Sequence, residues 1–287
     1  MSQAGRSWQE SLDGFLLAEE LGFDHGWLVD HLVDTDLGPS EPIHEAWTLL
    51  AALAARTSRI RLGVLVTSNT FRHPALLLKS AVTVDHVSGG RLILGLGSGW
   101  NADEHRRYGI ALPEPPERVD RLAEAVELID LLQRQERTTF DGRFYHVDDA
   151  PLEPRPVQQR IPLLIAAHRP RMLRLAARYA DQWDTFPAIP GASTDGVALT
   201  VADQIALLDA ACREIGRDPD TIRRSTWAEA EDVLGSVAAF ESFVDTHRRL
   251  GFTDFSAVLP RTGDRDVLER VAREVLPRLR EADAASR

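Results

Sequence analysis

Apolar residues recur along the chain in two alternating rhythms, one of helical period and one of short continuous runs. Ser7-Trp8-Gln9-Glu10 has capping-box spacing, and Leu12, Phe15, Leu16 and Leu21 keep a helical period up to Gly22, which suits the left-handed position after a helix. Gly26-Trp27-Leu28-Val29-Asp30 then reads as a short buried strand. The same order of helix, glycine and strand returns at Arg249-Leu250-Gly251-Phe252 and runs on to Val258, which suggests one repeated βα unit. The pattern predicts strands near 26–30, 60–67, 91–97, 162–167, 182–187, 222–229 and 254–259. It predicts helices near 8–21, 44–56, 75–87, 116–135, 170–179, 201–215, 237–249 and 265–281.

Strict alternation of strand and helix points to parallel strands with crossover helices. A closed (β/α)8 barrel begins with a strand, yet residues 1–6 are too few and too polar to form a buried one. The expectation is therefore an α/β, TIM-type (β/α)8 barrel, one domain over 1–287, that lacks or truncates its first strand. The stretch 138–162, rich in Pro and turn residues, reads as an excursion over the barrel mouth.

Composition narrows the function. With 44 acidic against 33 basic residues the net charge is −11, which argues against nucleic acid as a partner and favours a small-molecule substrate. No stretch approaches the roughly 18 apolar residues of a membrane span, and Met1-Ser2-Gln3-Ala4-Gly5-Arg6-Ser7-Trp8 has no apolar leader core. The single cysteine, Cys212, lies among Leu207, Leu208 and Ala211 as a buried helical thiol would. It excludes an internal disulfide and any thiolate metal cluster, so the expected setting is the cytoplasm and no metal is expected.

In such barrels chemistry sits at the carboxyl ends of the strands. Asp30-His31 follows the first recognisable strand, and an imidazole beside a carboxylate is a proton donor or acceptor near neutral pH; a helix cap with an ordinary polar His is the plain alternative. The next strand switches abruptly to Thr67-Ser68-Asn69-Thr70, small polar groups suited to the edge of a planar ligand or to a simple turn. Gly95-Leu96-Gly97-Ser98-Gly99 lacks the glycine that a dinucleotide fingerprint needs at Trp100. What remains is glycines leaving room for a bulky ligand, with Trp100 as an aromatic wall. Asn101 and Glu104 have capping-box spacing, which favours a structural Glu104. Ala166-Ala167-His168-Arg169, opening a helix at Pro170, with Arg171, suits a phosphate. Trp47, Leu49, Leu50 and Leu53 form an apolar face that packs on the barrel or serves a dimer.

These residues carry a resemblance. Ala18-Glu19-Glu20-Leu21-Gly22-Phe23-Asp24, Val29-Asp30-His31 and Thr67 through Ala75 resemble the bacterial-luciferase-like superfamily. Ser88-Gly89-Gly90-Arg91, Leu94 through Trp100, Glu104-His105, Tyr108-Gly109, Glu117 through Arg121 and Ile165 through Asp181 are similar to its deazaflavin-dependent branch. The resemblance covers Trp8 to Arg280 and implies a TIM barrel that binds coenzyme F420, a deazaflavin, or else FMN, whose users are monooxygenases. It implies hydride transfer to or from an organic substrate, with His31 near the reactive carbon and Asp30 at the cofactor edge; the missing strand leaves a cofactor-binding protein without turnover as the alternative. A strand bulge, often with a non-prolyl cis peptide, would fall at Leu65-Val66 and support the ring, with Ser68 and the strand of Gly97 beside it. Ala166, Ala167, His168 and Arg169 would cradle the phosphate. Trp100 and Trp183 would line the substrate pocket. Members that oxidise sugar phosphates carry a carboxylate where this chain has Trp100, which implies instead an apolar or planar substrate. The family commonly forms homodimers. The pocket would also depend on how 138–162 and the loop of Phe186 to Ser193 fold.

Overall fold

The opening helix forms as its local sequence dictates. Ser7 Oγ accepts from Glu10 N and the Glu10 carboxylate accepts from Ser7 N at 2.7 Å, a complete capping box on α1 (Trp8–Glu20). The computed structural model describes residues 3–35, 38–186, 199–259 and 265–285. In chain order α1 is followed by β1 (His25–Leu28), α2 (Ala46–Ala54), β2 (Arg61–Val64), β3 (Thr67–Ser68), α3 (Pro74–Ser88) and β4 (Leu92–Gly97). Then come α4 (Ala102–Tyr108), α5 (Pro115–Arg134), β5 (Arg137–Asp141), β6 (His146–Pro151), β7 (Leu163–Ala166), α6 (Pro170–Tyr179) and β8 (Gln182–Asp184). The chain closes with α7 (Val201–Glu214), β9 (Arg223–Ala228), α8 (Ala230–Val233), α9 (Val237–Arg248), β10 (Asp254–Ala257), α10 (Arg265–Arg270) and α11 (Leu276–Ala285). A π-helical segment, Val271–Val275, links α10 to α11 and interrupts the single helix expected there.

The sheet runs β1-β2-β4-β7-β8-β9-β10, every pair parallel, with β3 added on β4. Its register sets Gly95, Leu164, Gln182 and Arg223 side by side across four strands, and Ala166, Asp184, Ser225 and Asp254 across the next layer. Alternation turns the neighbours of these residues toward the helices. Leu62, Leu94, Leu163 and Ile165 meet Leu50, Leu78 and Ile129 there in the main core, with exposures near zero. Each such side chain stabilises the fold by about 1.5–3 kcal/mol. Trp47, Leu49, Leu50 and Leu53 belong to this core, packed on the barrel itself. Cys212 is buried in it and free. A smaller apolar cluster, Trp27, Ile93 and Leu164 with Leu65 and Val66, fills the sheet's inner side.

Three features bear on the sequence pattern, and the second of them follows it. The strand expected over 60–67 is split: β2 ends at Val64, the Leu65-Val66 peptide is cis, and the chain rejoins the sheet through β3. Among the described residues no strand lies between β10 and β1, so the barrel stays open at the place where the first strand was missed. The slot holds a cavity of about 290 Å³ walled by Phe23, Trp27, Phe255 and Leu268. Its mouth end is bridged by Gln3, whose amide donates to Val29 O and accepts from Val29 N, and by Arg6, which donates to Leu259 O. Third, the 138–162 excursion carries the β5-β6 hairpin, whose β5 packs on α5, while the stretch after it bonds to α3. The Glu124 carboxylate accepts from Phe144 N and Tyr145 N, Asp85 accepts from Val157 N, and Tyr145 at the tip accepts from Asn69 Nδ2, just past β3. Buried N–H groups need such partners, and the sequence supplied them from helices.

Ser88-Gly89-Gly90-Arg91 is a clamp at the opposite end from the mouth. The Arg91 guanidinium donates to Ala54 O, Thr57 O, Ile60 O, Ser88 O and Thr57 Oγ1, tying the ends of α2 and α3 to the start of β4.

Candidate active site

The segment after β1 is fixed from α4. Asn101 caps that helix, accepting from Asp103 N and Glu104 N, but Glu104 does not complete the reciprocal box. Its side chain, in a residue 2 % exposed, runs to the neighbouring strand end. Oε1 lies 3.0 Å from His31 Nδ1 and Oε2 accepts from Leu32 N at 2.9 Å. Tyr108 Oη donates to Leu32 O from the same helix. Trp100, 65 % exposed, stands edge-on to the imidazole with ring centres 5.6 Å apart. His31 thus sits half-buried between a carboxylate and an indole, with Nε2 facing away from Glu104.

Asp30, beside it, is buried and committed elsewhere. Both its oxygens accept from Arg72, at 2.7 and 3.0 Å, and Oδ2 also accepts from Ser68 N at 2.9 Å. Arg72 reaches Glu45 as well. This ion-pair cluster ties β1's end to β3, directly after the cis peptide. From Ser68 a chain of hydrogen bonds continues through Thr70 Oγ1 (2.7 Å) to His105 Nε2 (2.6 Å), and His105 Nδ1 donates to Asn101 O. With His105 neutral, the donors are Nδ1, then Thr70, then Ser68, so Ser68 Oγ shows only lone pairs to the mouth.

At the far side β7 delivers Ala166 and Ala167 to the start of α6, whose first turn has Pro170 and no side-chain cap. Among the described residues no side chain caps its first N–H groups, an arrangement that suits an anion. Arg169 is exposed beside them, while Arg171 is paired with Asp120. His168 is not a cation here: burial, the largest influence, pushes its pKa down to about 4. Its Nδ1 lies 2.9 Å from Thr185 Oγ1, whose own proton goes to Gln204 Oε1, and its ring meets Phe186 edge-on at 4.6 Å. Phe186, which the sequence marked only as the start of a pocket loop, in turn packs on Trp227, which was not singled out in the sequence. Below them Asp184 accepts from Ser225 Oγ at 2.6 Å, and burial pushes its pKa up to about 8.

Two assigned residues fall outside the pocket. Trp183 is wholly buried, its Nε1 donating to Ala167 O and its ring packing near Phe252 in the helix-facing core; alternation along β8 turns Gln182 and Asp184 inward instead. Gly97 leaves no space for a ligand, because a Cβ there would lie 2.5 Å from Val66 Cγ2. At Gly95 the clash would be with Val64 O at 2.2 Å, so these glycines admit the chain's own bulge. The loop after Phe186 that was expected to shape the pocket, 187–198, lies outside the described residues. Among the described residues no cluster of His, Cys, Asp or Glu could hold a metal, and no helix is long and apolar enough to cross a membrane.

A parallel α/β barrel sheet with a strand broken at a cis peptide and chemistry-bearing residues at its strand ends defines the class. Residues 1–230 match the luciferase-like monooxygenase family, and the chain belongs to it. An F420-dependent glucose-6-phosphate dehydrogenase of Microbacterium testaceum is 40% identical over 178 residues, 61% of this chain and 52% of that protein. The chain therefore spans about half the length of that relative in the aligned part. An enzyme of the same name from Beutenbergia cavernae is 30% identical over 319 residues, covering 92% of this chain and 91% of its own. Among solved structures, the coenzyme F420-dependent tetrahydromethanopterin reductase of Methanopyrus kandleri superposes with a TM-score of 0.78 at 18% identity, covering 97% of both chains, which shows the shared fold.

Proposed function

We propose that this protein is an oxidoreductase that moves a hydride between coenzyme F420 and a small organic substrate, and that His31 handles the proton. One observation carries the reading: a half-buried imidazole with one nitrogen held by Glu104 and the other without a partner among the described residues, across the mouth from a helix start with no side-chain cap. Relatives named as F420-dependent enzymes support it. The residues fit a planar ring with a phosphorylated tail. Leu65 and Val66, with Trp27, Ile93 and Leu164 behind them, offer an apolar face to the ring. Ser68 Oγ offers lone pairs to its polar edge. Ala166 and Ala167 are small enough for close approach, the open N–H groups of α6 with Arg169 receive the phosphate, and neutral His168 walls the site. Gly97 acts by admitting the bulge. Asp30, tied to Arg72 and Ser68 N, positions β3, and burial pushes its pKa up.

The deazaflavin supplies two-electron hydride chemistry with little reactivity toward oxygen, so this chain has only to bind, orient and move one proton. Trp100 favours an apolar or planar substrate stacked beside His31. The enzyme works in the cytoplasm, as a homodimer in the manner common in its family. The family description keeps an FMN-dependent monooxygenase as the second reading.

An anaerobic assay of F420 reduction with apolar secondary alcohols and, separately, glucose 6-phosphate tests the proposal. Turnover of an apolar alcohol is expected, falling about 10²–10⁴-fold in kcat in His31→Ala while F420 affinity is kept. Equal turnover in the variant overturns the role of His31; an absence of F420 binding overturns the reading as a whole.

A further inference from the structure

We infer that Glu104 is a positioning residue that holds His31 with its proton on Nδ1, so that Nε2 meets the substrate as a bare proton acceptor. The inference rests on the reading of His31 as the proton-handling group, but it concerns only two side chains and one peptide group. A carboxylate has acceptors alone. Oε2 is engaged by a donor that cannot be anything else, the peptide N–H of Leu32 at 2.9 Å, and this fixes how the group is turned. Oε1 then faces His31 Nδ1 at 3.0 Å, and the contact is a hydrogen bond only when Nδ1 carries the proton. In the neutral ring the lone pair is left on Nε2, because the bond made by one nitrogen sets the state of the other. The pair is shielded: the Glu104 side chain is 2 % exposed and that of His31 17 %. Trp100 against the ring and Tyr108 Oη on Leu32 O keep the segment in register with α4.

The consequence for chemistry is directional. In oxidation of a carbinol, as its hydride leaves for the deazaflavin, the hydroxyl O–H breaks, C=O forms, and the hydroxyl proton passes to the lone pair of Nε2. The imidazolium so formed is held by the Glu104 carboxylate and returns the proton in the reverse direction. A ring with its proton already on Nε2 could not accept another there.

The isosteric variant Glu104→Gln is decisive because it keeps shape and inverts polarity. Leu32 N–H requires an oxygen, so the amide oxygen must sit at the Oε2 position and the amide NH2 at Oε1. A donor then faces Nδ1, which must accept, and the proton is driven to Nε2. The test is ¹⁵N-imidazole NMR of the histidine-labelled apoprotein at pH 8.5, with His31 assigned by its loss in His31→Ala. The expected result is Nδ1–H in the parent and Nε2–H in Glu104→Gln. In the F420 reduction assay, kcat of that variant should fall about 10²–10⁴-fold while KM and the F420 Kd stay within about threefold. The same tautomer in both proteins, or a kcat within about threefold of the parent, overturns the inference and leaves Glu104 a brace for the loop. Should Glu104→Gln not fold, Glu104→Asp keeps an acceptor-only group, and NMR must then show Nδ1–H retained; Nε2–H in that variant would overturn the proposal. The tautomer is read without cofactor, so failure of the F420 reading, seen as absent binding, is separate from failure of this one.

Discussion

One methyl group added at Gly97 would press to 2.5 Å on Val66 Cγ2, inside the bulge that shapes the ring-facing side of the site. Gly97→Ala should therefore cost about 1–3 kcal/mol of stability, read as a lower urea midpoint at unchanged slope, and weaken F420 binding because the bulge must shift. Sequence spacing found the glycines but assigned the room to a ligand, since a glycine reports close approach without saying by what. It singled out His31 and Asp30, yet not that Asp30 is bonded to Arg72 and His31 to Glu104. Glu104 obeyed a local capping rule in its spacing with Asn101, and its actual partner lies 73 positions away in sequence. Trp183 was misplaced for a related reason: in a strand of period two, a shift of one residue exchanges the faces, and only the register of β8 against β7 shows that Asp184 points inward.

Elements were more legible than residues wherever they bury a face. Seven parallel strands lie where apolar runs predicted them, because each is flanked by buried layers that demand such runs. The β5-β6 hairpin lies where the pattern predicted an excursion and no strand, since its strands are largely exposed and carry no apolar alternation to announce them. The Ser-Gly-Gly-Arg motif was legible as a family mark but not as a device. Its arginine makes bonds to four different carbonyls, so Arg91→Ala should destabilise the fold by about 3 kcal/mol. Activity per folded molecule should stay the same, because the clamp lies at the end of the sheet away from His31. A thermal melt beside a turnover assay separates the two effects.

At the scale of the whole molecule, the open side between β10 and β1 was foreseen from the polar, short stretch ahead of α1, while the bridging of that slot by Gln3 and Arg6 was not. The sheet's inner side also carries a pH dependence. Burial raises Asp184 to about 8 from an ordinary 3.8, so the fold keeps it protonated while the unfolded chain releases the proton. Unfolding is therefore favoured progressively as pH rises from about 4 to about 8, by up to about 1.4 kcal/mol per pH unit. Asp184→Asn, which cannot ionise, should flatten the decline of Tm across that window; equal slopes in both proteins would place the group in a wetter setting than its burial indicates. The central claim, a deazaflavin held over the bulge and handled by His31, is tested most directly by titrating the apoprotein with F420 and, separately, with FMN, following cofactor fluorescence. Tight and selective F420 binding, lost on blocking the start of α6 by Ala167→Trp, is the predicted result. Selective FMN binding, or binding of neither, would contradict it.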